Sequence, residues 1–357
     1  MVRIELVGVH LPPGPHPQLA ERLVFDRGGI NVVLGASASD GASCLDVIAG
    51  RVRPSRGRVL FDDCDVTRDG PVRRNVARAF AEPVVYPTLS VRANLELPLR
   101  RRRGWRQEAS TRASDLADIL GLQGALATRA GTLPAAERQL VALGRAFACA
   151  DAAAILLDDP LAAVALPERP AARAAIVALA AEVRASVVWA TGDVDDALTV
   201  AERVTVLAQG RVVQDGPPDD LLSAPATIEL AAGIIDPPMN LLACAVQADG
   251  LRVGAARLDL PAIVAAARRV EGAGSLQLGV RADDLRIVAA PRATTLVAQL
   301  HAVEHRGAFR VASLRTDHLG LRVVCEVTQQ LVPGYRYHVE IPAEAARLYA
   351  DGVLVHG

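Results

Sequence analysis

An apolar run, Val32-Val33-Leu34, leads straight into Gly35-Ala36-Ser37-Ala38-Ser39-Asp40-Gly41-Ala42-Ser43, and an apolar helical pattern follows through Leu45, Ile48 and Ala49. A small-residue turn between a strand and a helix start is how backbone N–H groups cradle a phosphate. Chemistry on that phosphate needs more: a lysine reaching the β- and γ-phosphates and a Ser or Thr hydroxyl on magnesium. No lysine is available, because all 39 positive side chains of this chain are arginines. A second chemical pair, Asp158-Asp159, closes the apolar run Ala154–Leu157. Carboxylates there could hold a metal or act as a base, or simply end a strand. Gly35–Ser39 is no nucleophile elbow, since its second glycine is missing. No histidine lies between His16 and His301, so a Ser-His-Asp triad within that stretch is excluded.

Those residues must be carried by a scaffold, and 357 residues suggest two domains. Hydrophobic residues make up 51% of the chain, enough for real cores, and the net charge of -1 gives no global pull toward nucleic acid. Strands are expected at Asn31–Leu34, Ala154–Leu157, Val187–Ala190 and Val204–Leu207, with helical stretches between them such as Ala171–Val183. That alternation predicts a mostly parallel sheet flanked by helices. Gln209-Gly210 signals a hairpin into Arg211–Val213. Residues 88–150 read as an inserted helical lobe. After Asp236-Pro237-Pro238 come short β-like runs at Leu251–Val253, Leu276–Val280, Leu285–Val288, Thr295–Leu300, Phe309–Leu314, Leu321–Val327 and Tyr337–Ile341, a pattern that fits a small antiparallel barrel. Five scattered cysteines without a CxxC read as reduced thiols, and no run approaches the roughly 20 apolar residues of a membrane span. The acidic groups Asp62-Asp63-Asp65 and Asp193-Asp195-Asp196 read as turn and helix-start residues, and Arg100–Arg103 with Trp105 and Arg106 as a solvated helix end.

Several segments together carry a family resemblance. The spacing from Gly35 to Ile48-Ala49-Gly50, then Pro54-Ser55-Arg56-Gly57, Phe61-Asp62, Asp65-Val66-Thr67, Asn75-Val76, Tyr86-Pro87-Thr88-Leu89-Ser90-Val91 and Asn94-Leu95, follow in register the ATP-binding subunits of ABC importers. Val141–Ala146 resembles the helix after their signature motif, Leu156–Pro160 their Walker B strand, and Pro237–Asn240 with Leu278–Arg281 the accessory barrel of the sugar importers. Asp26-Arg27-Gly28-Gly29 and Val188–Gly192 are most similar to the glycerol-type importers. The resemblance implies an α/β P-loop NTPase domain over residues 1–235, with its helical subdomain at about 88–150. An OB- or TOBE-like antiparallel β-barrel over 236–357 would follow.

Against that family the chain departs at nearly every chemical position. Gly41 stands at the P-loop lysine, Ala42 at the magnesium-binding serine, and Ser43 offers a hydroxyl one residue out of register. Asp40 replaces a glycine; a carboxylate about 4 Å from a phosphate opposes it by on the order of 4 kcal/mol at an effective dielectric near 20. Asp40 is expected instead to cap a helix beginning near Gly41, filling the anion site itself. The γ-phosphate-sensing glutamine aligns with Ala81 and the switch histidine with Gly192. Asp158 keeps the Walker B aspartate, and Asp159 replaces the general-base glutamate with a shorter side chain. The D-loop aspartate aligns with Ala165, and no Tyr or Phe near residues 10–16 could stack on adenine. The signature reads Leu133-Pro134-Ala135-Ala136-Glu137, where Pro134 lacks a backbone donor and Glu137 brings negative charge.

The expected function is that of a pseudo-ATPase. No catalysis is expected from Asp158, Asp159, Ala81 and Gly192, and no cofactor is expected in the vestigial loop of Gly35, Ser37, Asp40, Gly41, Ala42 and Ser43. By resemblance the chain would pair with a second, competent ATPase subunit, whose own site would supply ATP and magnesium. It would dock on two membrane permease subunits through Tyr86, Pro87 and Leu89 and serve a solute-binding protein indirectly. It would lie in the cytoplasm, peripheral to the inner face of the membrane, in import of a sugar, polyol or related solute. The alternative is a regulatory or scaffold protein acting through the C-terminal barrel.

Overall fold

The strand Ile30–Gly35 and its neighbour Ser186–Thr191 are buried at every position, which places them at the centre of a sheet covered on both faces. They belong to the first of two units, Met1–Pro218 and Asp219–Gly357, in a computed structural model that describes residues 2–10, 19–35, 38–101, 105–149, 151–234, 236–247, 250–270, 272–316 and 319–355. In chain order the strands of the first unit are β1 (Ile4–His10), β2 (Arg22–Phe25), β3 (Ile30–Gly35), β4 (Arg56–Phe61), β5 (Cys64–Asp65), β6 (Val76–Ala79), β7 (Ala154–Asp158), β8 (Ser186–Thr191), β9 (Arg203–Ala208) and β10 (Arg211–Gly216). Its helices are α1 (Ala38–Ala49), α2 (Pro71–Arg74), α3 (Val91–Glu96), α4 (Trp105–Ile119), α5 (Ala135–Phe147), α6 (Arg169–Glu182) and α7 (Val194–Val200).

The main sheet runs β10-β9-β3-β8-β7-β6, parallel from β6 through β9. Only β10 is antiparallel, returned by Gln209 and Gly210 at φ 52 and 72. Two positive φ values in a two-residue turn match the right-handed strand twist, so the hairpin signal was sound. A smaller antiparallel sheet, β2-β1-β4-β5, lies beside the main one. Cys44, Leu45 and Ile48 of α1 share one buried cluster with Ile4, Leu6, Phe25 and Val59 of this small sheet and Val33 and Leu156 of the large one, so α1 is packed between the two.

The C-terminal end of α1 is closed by Arg74, 2% exposed. Its guanidinium donates to the carbonyls of Val47 (2.7 Å), Ile48 (2.8 Å), Asp69 (2.9 Å) and Thr67 (3.1 Å). A buried cation is tolerable there because free carbonyls and the negative end of the helix dipole surround it. The expected helical lobe is present as α3, α4 and α5. Gly144 of α5 lets Leu95 and Leu120 approach to 2.6 and 2.9 Å of where a Cβ would stand.

The second unit begins with α8 (Pro218–Ser223) and α9 (Ile228–Gly233). Then follow β11 (Asn240–Gln247), β12 (Gly250–Val253), β13 (Ala256–Leu258), α10 (Pro261–Arg269), β14 (Leu276–Val280), β15 (Arg286–Val288), β16 (Thr295–Arg306), β17 (Phe309–Arg315), β18 (Gly320–Glu326), β19 (Arg336–Glu340), β20 (Arg347–Ala350) and β21 (Val353–Val355). Two antiparallel sheets, β13-β12-β11-β14-β20-β21 and β15-β19-β16-β17-β18, enclose one apolar core built from alternating residues such as Leu296, Ala298 and Leu300. The antiparallel, barrel-like character matches expectation; β11, α10, β20 and β21 were not anticipated.

The division of the chain falls at Pro218, not at residue 235. Residues 219–234 pack on β20 and β21: Thr227 bridges Val353, Ile228 N–H donates to the Gly352 carbonyl (3.0 Å), and the Tyr349 hydroxyl donates to the Pro225 carbonyl (2.9 Å). Ala231, Met239, Tyr349 and Leu354 close a small core of their own.

Candidate functional site

In a parallel sheet flanked by helices, chemistry gathers beyond the carboxyl ends of the strands. Gly35 ends β3, Asp158 ends β7, Gly192 follows β8 and Ala81 lies just past β6, so the expected positions do converge on one edge. Ser37 lies outside the described residues. Helix α1 begins at Ala38, so Asp40 sits within its first turn and is not its N-cap, which corrects the expected cap. The helix runs through Gly41 because the missing Cβ permits close packing: a Cβ there would stand 2.9 Å from that of Ala190 in β8. Gly192 is the opposite case: among the described residues only the Gly35 carbonyl lies within 4 Å of its virtual Cβ, at 3.9 Å. Space exists there for a side chain, but the side chain is absent.

Asp158 is not a free carboxylate. Its Oδ2 accepts from Nη2 of Arg78 at 2.7 Å, and Arg78 Nη1 pairs with Asp46 Oδ1 of α1 at 2.5 Å. Arg78 is nearly buried, its side chain 7% exposed against 14% for Asp158 and 31% for Asp46. Arg51 adds a second guanidinium to Asp46 at 3.1 Å. Both arginines lie over the Phe80 ring, 4.7 Å (Arg78) and 5.2 Å (Arg51) from its centroid. Two cations thus balance two carboxylates between β6, β7 and α1, with aromatic support. Sequence reading missed this network. Its signal was the lone arginine in Val76-Ala77-Arg78-Ala79-Phe80, because a charge in a buried strand needs an internal partner.

Asp159 lies beside it in the left-handed region at φ 40, its N–H donating to the Ala190 carbonyl at 2.8 Å. Burial pushes its carboxyl pKa up; Arg169 opposes that shift, while Asp158 and Asp193 reinforce it. Asp193 caps α7, accepting from the Asp196 N–H at 3.1 Å, and pairs with Arg169 at 2.5 Å. Asp196, 1% exposed, pairs with Arg173 at 2.9 Å. The acidic run from Asp193 is therefore a helix start, as expected. Asp62 and Asp63, at φ 48 and 67, form the β4–β5 turn.

Ala42 brings no oxygen to this edge, and the Asp158 Oδ2 is engaged by Arg78. Among the described residues no three His, Cys, Asp or Glu side chains are grouped to hold a metal. No lysine stands in the loop, and the residue after Gly41 is Ala42, whose side chain carries no oxygen.

The signature-equivalent residues fall at the start of α5. Leu133 is buried, Pro134 takes the N-cap position without a side-chain cap, and Ala135, Ala136 and Glu137 form the first turn. Glu137 places a carboxylate at the positive helix end, which suits the helix and opposes an incoming phosphate. Of the docking candidates, only Tyr86 lines the large open cleft of about 740 Å³, together with Val72, Arg78, Phe80, Leu99 and Arg145. Pro87 and Leu89 instead shape the adjoining turn, their carbonyls accepting from Gly131 (3.0 Å) and Ala130 (2.9 Å). Arg145 stacks 4.8 Å from the centre of the Tyr86 ring, which is 48% exposed along with Val72 at 82%. Of the arginine run at Arg100–Arg103, residues 102–104 lie outside the described residues.

The model of the family described as ABC transporter matches residues 22–162. The sn-glycerol-3-phosphate import ATP-binding protein UgpC 1 of Rhizobium etli is 35% identical over 243 residues, covering 68% of this chain and 70% of that protein. The sulfate/thiosulfate import ATP-binding protein CysA 2 of Chromobacterium violaceum is 31% identical over 338 residues, or 92% and 89% of the two chains. The trehalose/maltose import ATP-binding protein MalK of Thermococcus litoralis is 31% identical over 307 residues, 81% of each. Among solved structures, an ATP-binding cassette of an ABC transporter in its ADP conformation superposes with TM-score 0.55 over 65% of this chain and 99% of that one, at 20% identity, a likeness of fold alone. With strand, loop and helix in register and these relatives spanning both units, the chain belongs to the ABC transporter family of ATP-binding subunits.

Proposed function

We propose that this chain is a non-catalytic subunit of an ABC importer, retained for its fold and docking surface while a second ATPase subunit carries the nucleotide chemistry. The observation that carries the proposal is the Arg78–Asp158 pair at 2.7 Å in a chain whose phosphate loop has Gly41 and Ala42 in place of lysine and serine. Each change alone weakens nucleotide binding; together they remove the cation, the metal ligand and the free carboxylate. The cleft beside Tyr86 supports docking on membrane permease subunits, which would hold the chain peripherally at the membrane. Among the described residues no helix is long and apolar enough to cross a membrane. Two of the relatives named above are import ATP-binding proteins for sn-glycerol-3-phosphate and for trehalose/maltose, which supports a sugar, polyol or related solute as cargo; the third is named for sulfate/thiosulfate. In a head-to-tail pair the partner's nucleotide would face the proline-started α5 of this chain, so the composite site would turn over slowly. The C-terminal unit, read as an OB- or TOBE-like accessory domain, would be a regulatory surface.

The test is a pulldown of the full chain from gently solubilised native membranes, with copurifying subunits identified and ATP turnover assayed. A lysine-bearing ATPase and two permeases are expected, with any turnover abolished by mutating the partner's P-loop lysine. Recovery of the chain alone or with soluble partners would instead favour a scaffold acting through the C-terminal unit.

A further inference from the structure

We propose that Arg78 is a built-in counter-ion that takes the place of metal and nucleotide at Asp158 and thereby fixes the wall of the docking cleft in one state. The inference rests on the non-catalytic reading and adds the residue that makes that state self-sufficient. Three observations converge on this one side chain. Its guanidinium reaches Asp158 of β7 at 2.7 Å and Asp46 of α1 at 2.5 Å, so it ties the end of β7 to the last turn of α1. It stacks on Phe80, 4.7 Å from the ring centre, and both Arg78 and Phe80 line the open cleft. And the position that would bring a lysine to this edge is Gly41, packed too tightly against Ala190 for a side chain to enter without displacement, its virtual Cβ being 2.9 Å from that of Ala190.

The physical consequence follows from the charge count. The Asp158 carboxylate at the end of β7, 14% exposed, is engaged by the Arg78 guanidinium at 2.7 Å. In a working site that partner is a diffusible metal, and it leaves with the nucleotide. Here it is covalently part of β6, the strand that forms the cleft wall. The wall therefore cannot sense nucleotide: it is held by an ion pair that is always present. A membrane partner seated against Phe80 and Tyr86 meets the same surface with or without ATP in solution.

The experiment is a double-mutant cycle in the full chain. Unfolding of the first unit is followed by tryptophan fluorescence, since both tryptophans, Trp105 and Trp189, lie in that unit. Arg78→Met and Asp158→Asn are each expected to lower the urea midpoint. The double variant should cost little more than the worse single, a coupling of roughly ten-fold or more in the unfolding equilibrium. Magnesium with ATP should leave the wild-type midpoint unmoved. Arg78→Met releases Asp158 while Arg51 still holds Asp46, and the freed Asp158 should bind Mn2+ by EPR where the wild type does not. Additive single effects, or equal Mn2+ binding by wild type and Arg78→Met, overturn the counter-ion while leaving the non-catalytic reading in place. Stabilisation of the wild type by magnesium and ATP overturns both. Should Arg78→Met not fold, Asp158→Asn decides alone. A counter-ion predicts a lowered midpoint in metal-free buffer; a carboxylate waiting for metal predicts an unchanged or raised one, and that result overturns the proposal.

Discussion

Asp159 is strained in two ways. Its backbone occupies the left-handed region at φ 40, and burial raises its carboxyl pKa above the ordinary 3.8. Between 3.8 and the raised value the folded chain binds more protons than the unfolded one, so stability falls as pH rises through that window and the penalty is complete at neutral pH. Asp159→Asn tolerates the same backbone and removes only the charge. The expected outcome is a higher urea midpoint at neutral pH, no change below about pH 3.8, and a shallower slope between, measured as midpoint against pH. Asp196, raised by the same cause, leaves a residual slope. At this scale the missing chemistry was plain in the sequence, because Gly41, Ala42, Ala81 and Gly192 carry no functional group anywhere they are placed. What was not plain was Arg78: its partners Asp46 and Asp158 are distant in sequence, and only the packing of α1 and β7 beside β6 sets them at hydrogen-bond distance.

Among the elements, α1 shows where pattern reading stops. With Asp40 expected as its cap, the helix was expected to start near Gly41. The helix instead begins at Ala38, and Gly41 lies inside it where α1 packs on Ala190 of β8 too closely for a Cβ. Its other end depends on Arg74, whose guanidinium serves four carbonyls. Arg74→Met takes the guanidinium from all four carbonyls, of which Val47 keeps the Gly50 N–H, and is expected to destabilise the first unit by about 3 kcal/mol or more. Urea unfolding followed by tryptophan fluorescence measures it, and a loss below about 1 kcal/mol would mean that water replaces the arginine. The strands β3, β7, β8 and β9 were legible to within a residue or two because their apolar runs are short and bounded. By contrast β11, α10, β20 and β21 were not, since Leu242 or Leu348 declares its face only when a neighbouring strand covers it.

The molecule as a whole divides at Pro218, and the second unit depends on the segment that precedes its first strand. Tyr349, whose hydroxyl pKa burial pushes up to about 12, donates to the Pro225 carbonyl. Tyr349→Phe in the full chain leaves that carbonyl without its donor and should cost about 1–3 kcal/mol. The loss should appear in a far-ultraviolet circular dichroism transition of the second unit and leave the tryptophan-reported transition of the first unchanged. Movement of the fluorescence transition would place residues 219–234 with the wrong unit. The sequence by itself determined the family, the order of strand, loop and helix, and the absence of lysine from the chain, because those are properties of residue type and spacing along one chain. Only the tertiary structure decided where the units part, where α1 begins, and which cation stands at Asp158. Each of these depends on surfaces brought together from distant segments, and burial, not spacing, sets the free energy of a charge or a helix end once it is enclosed.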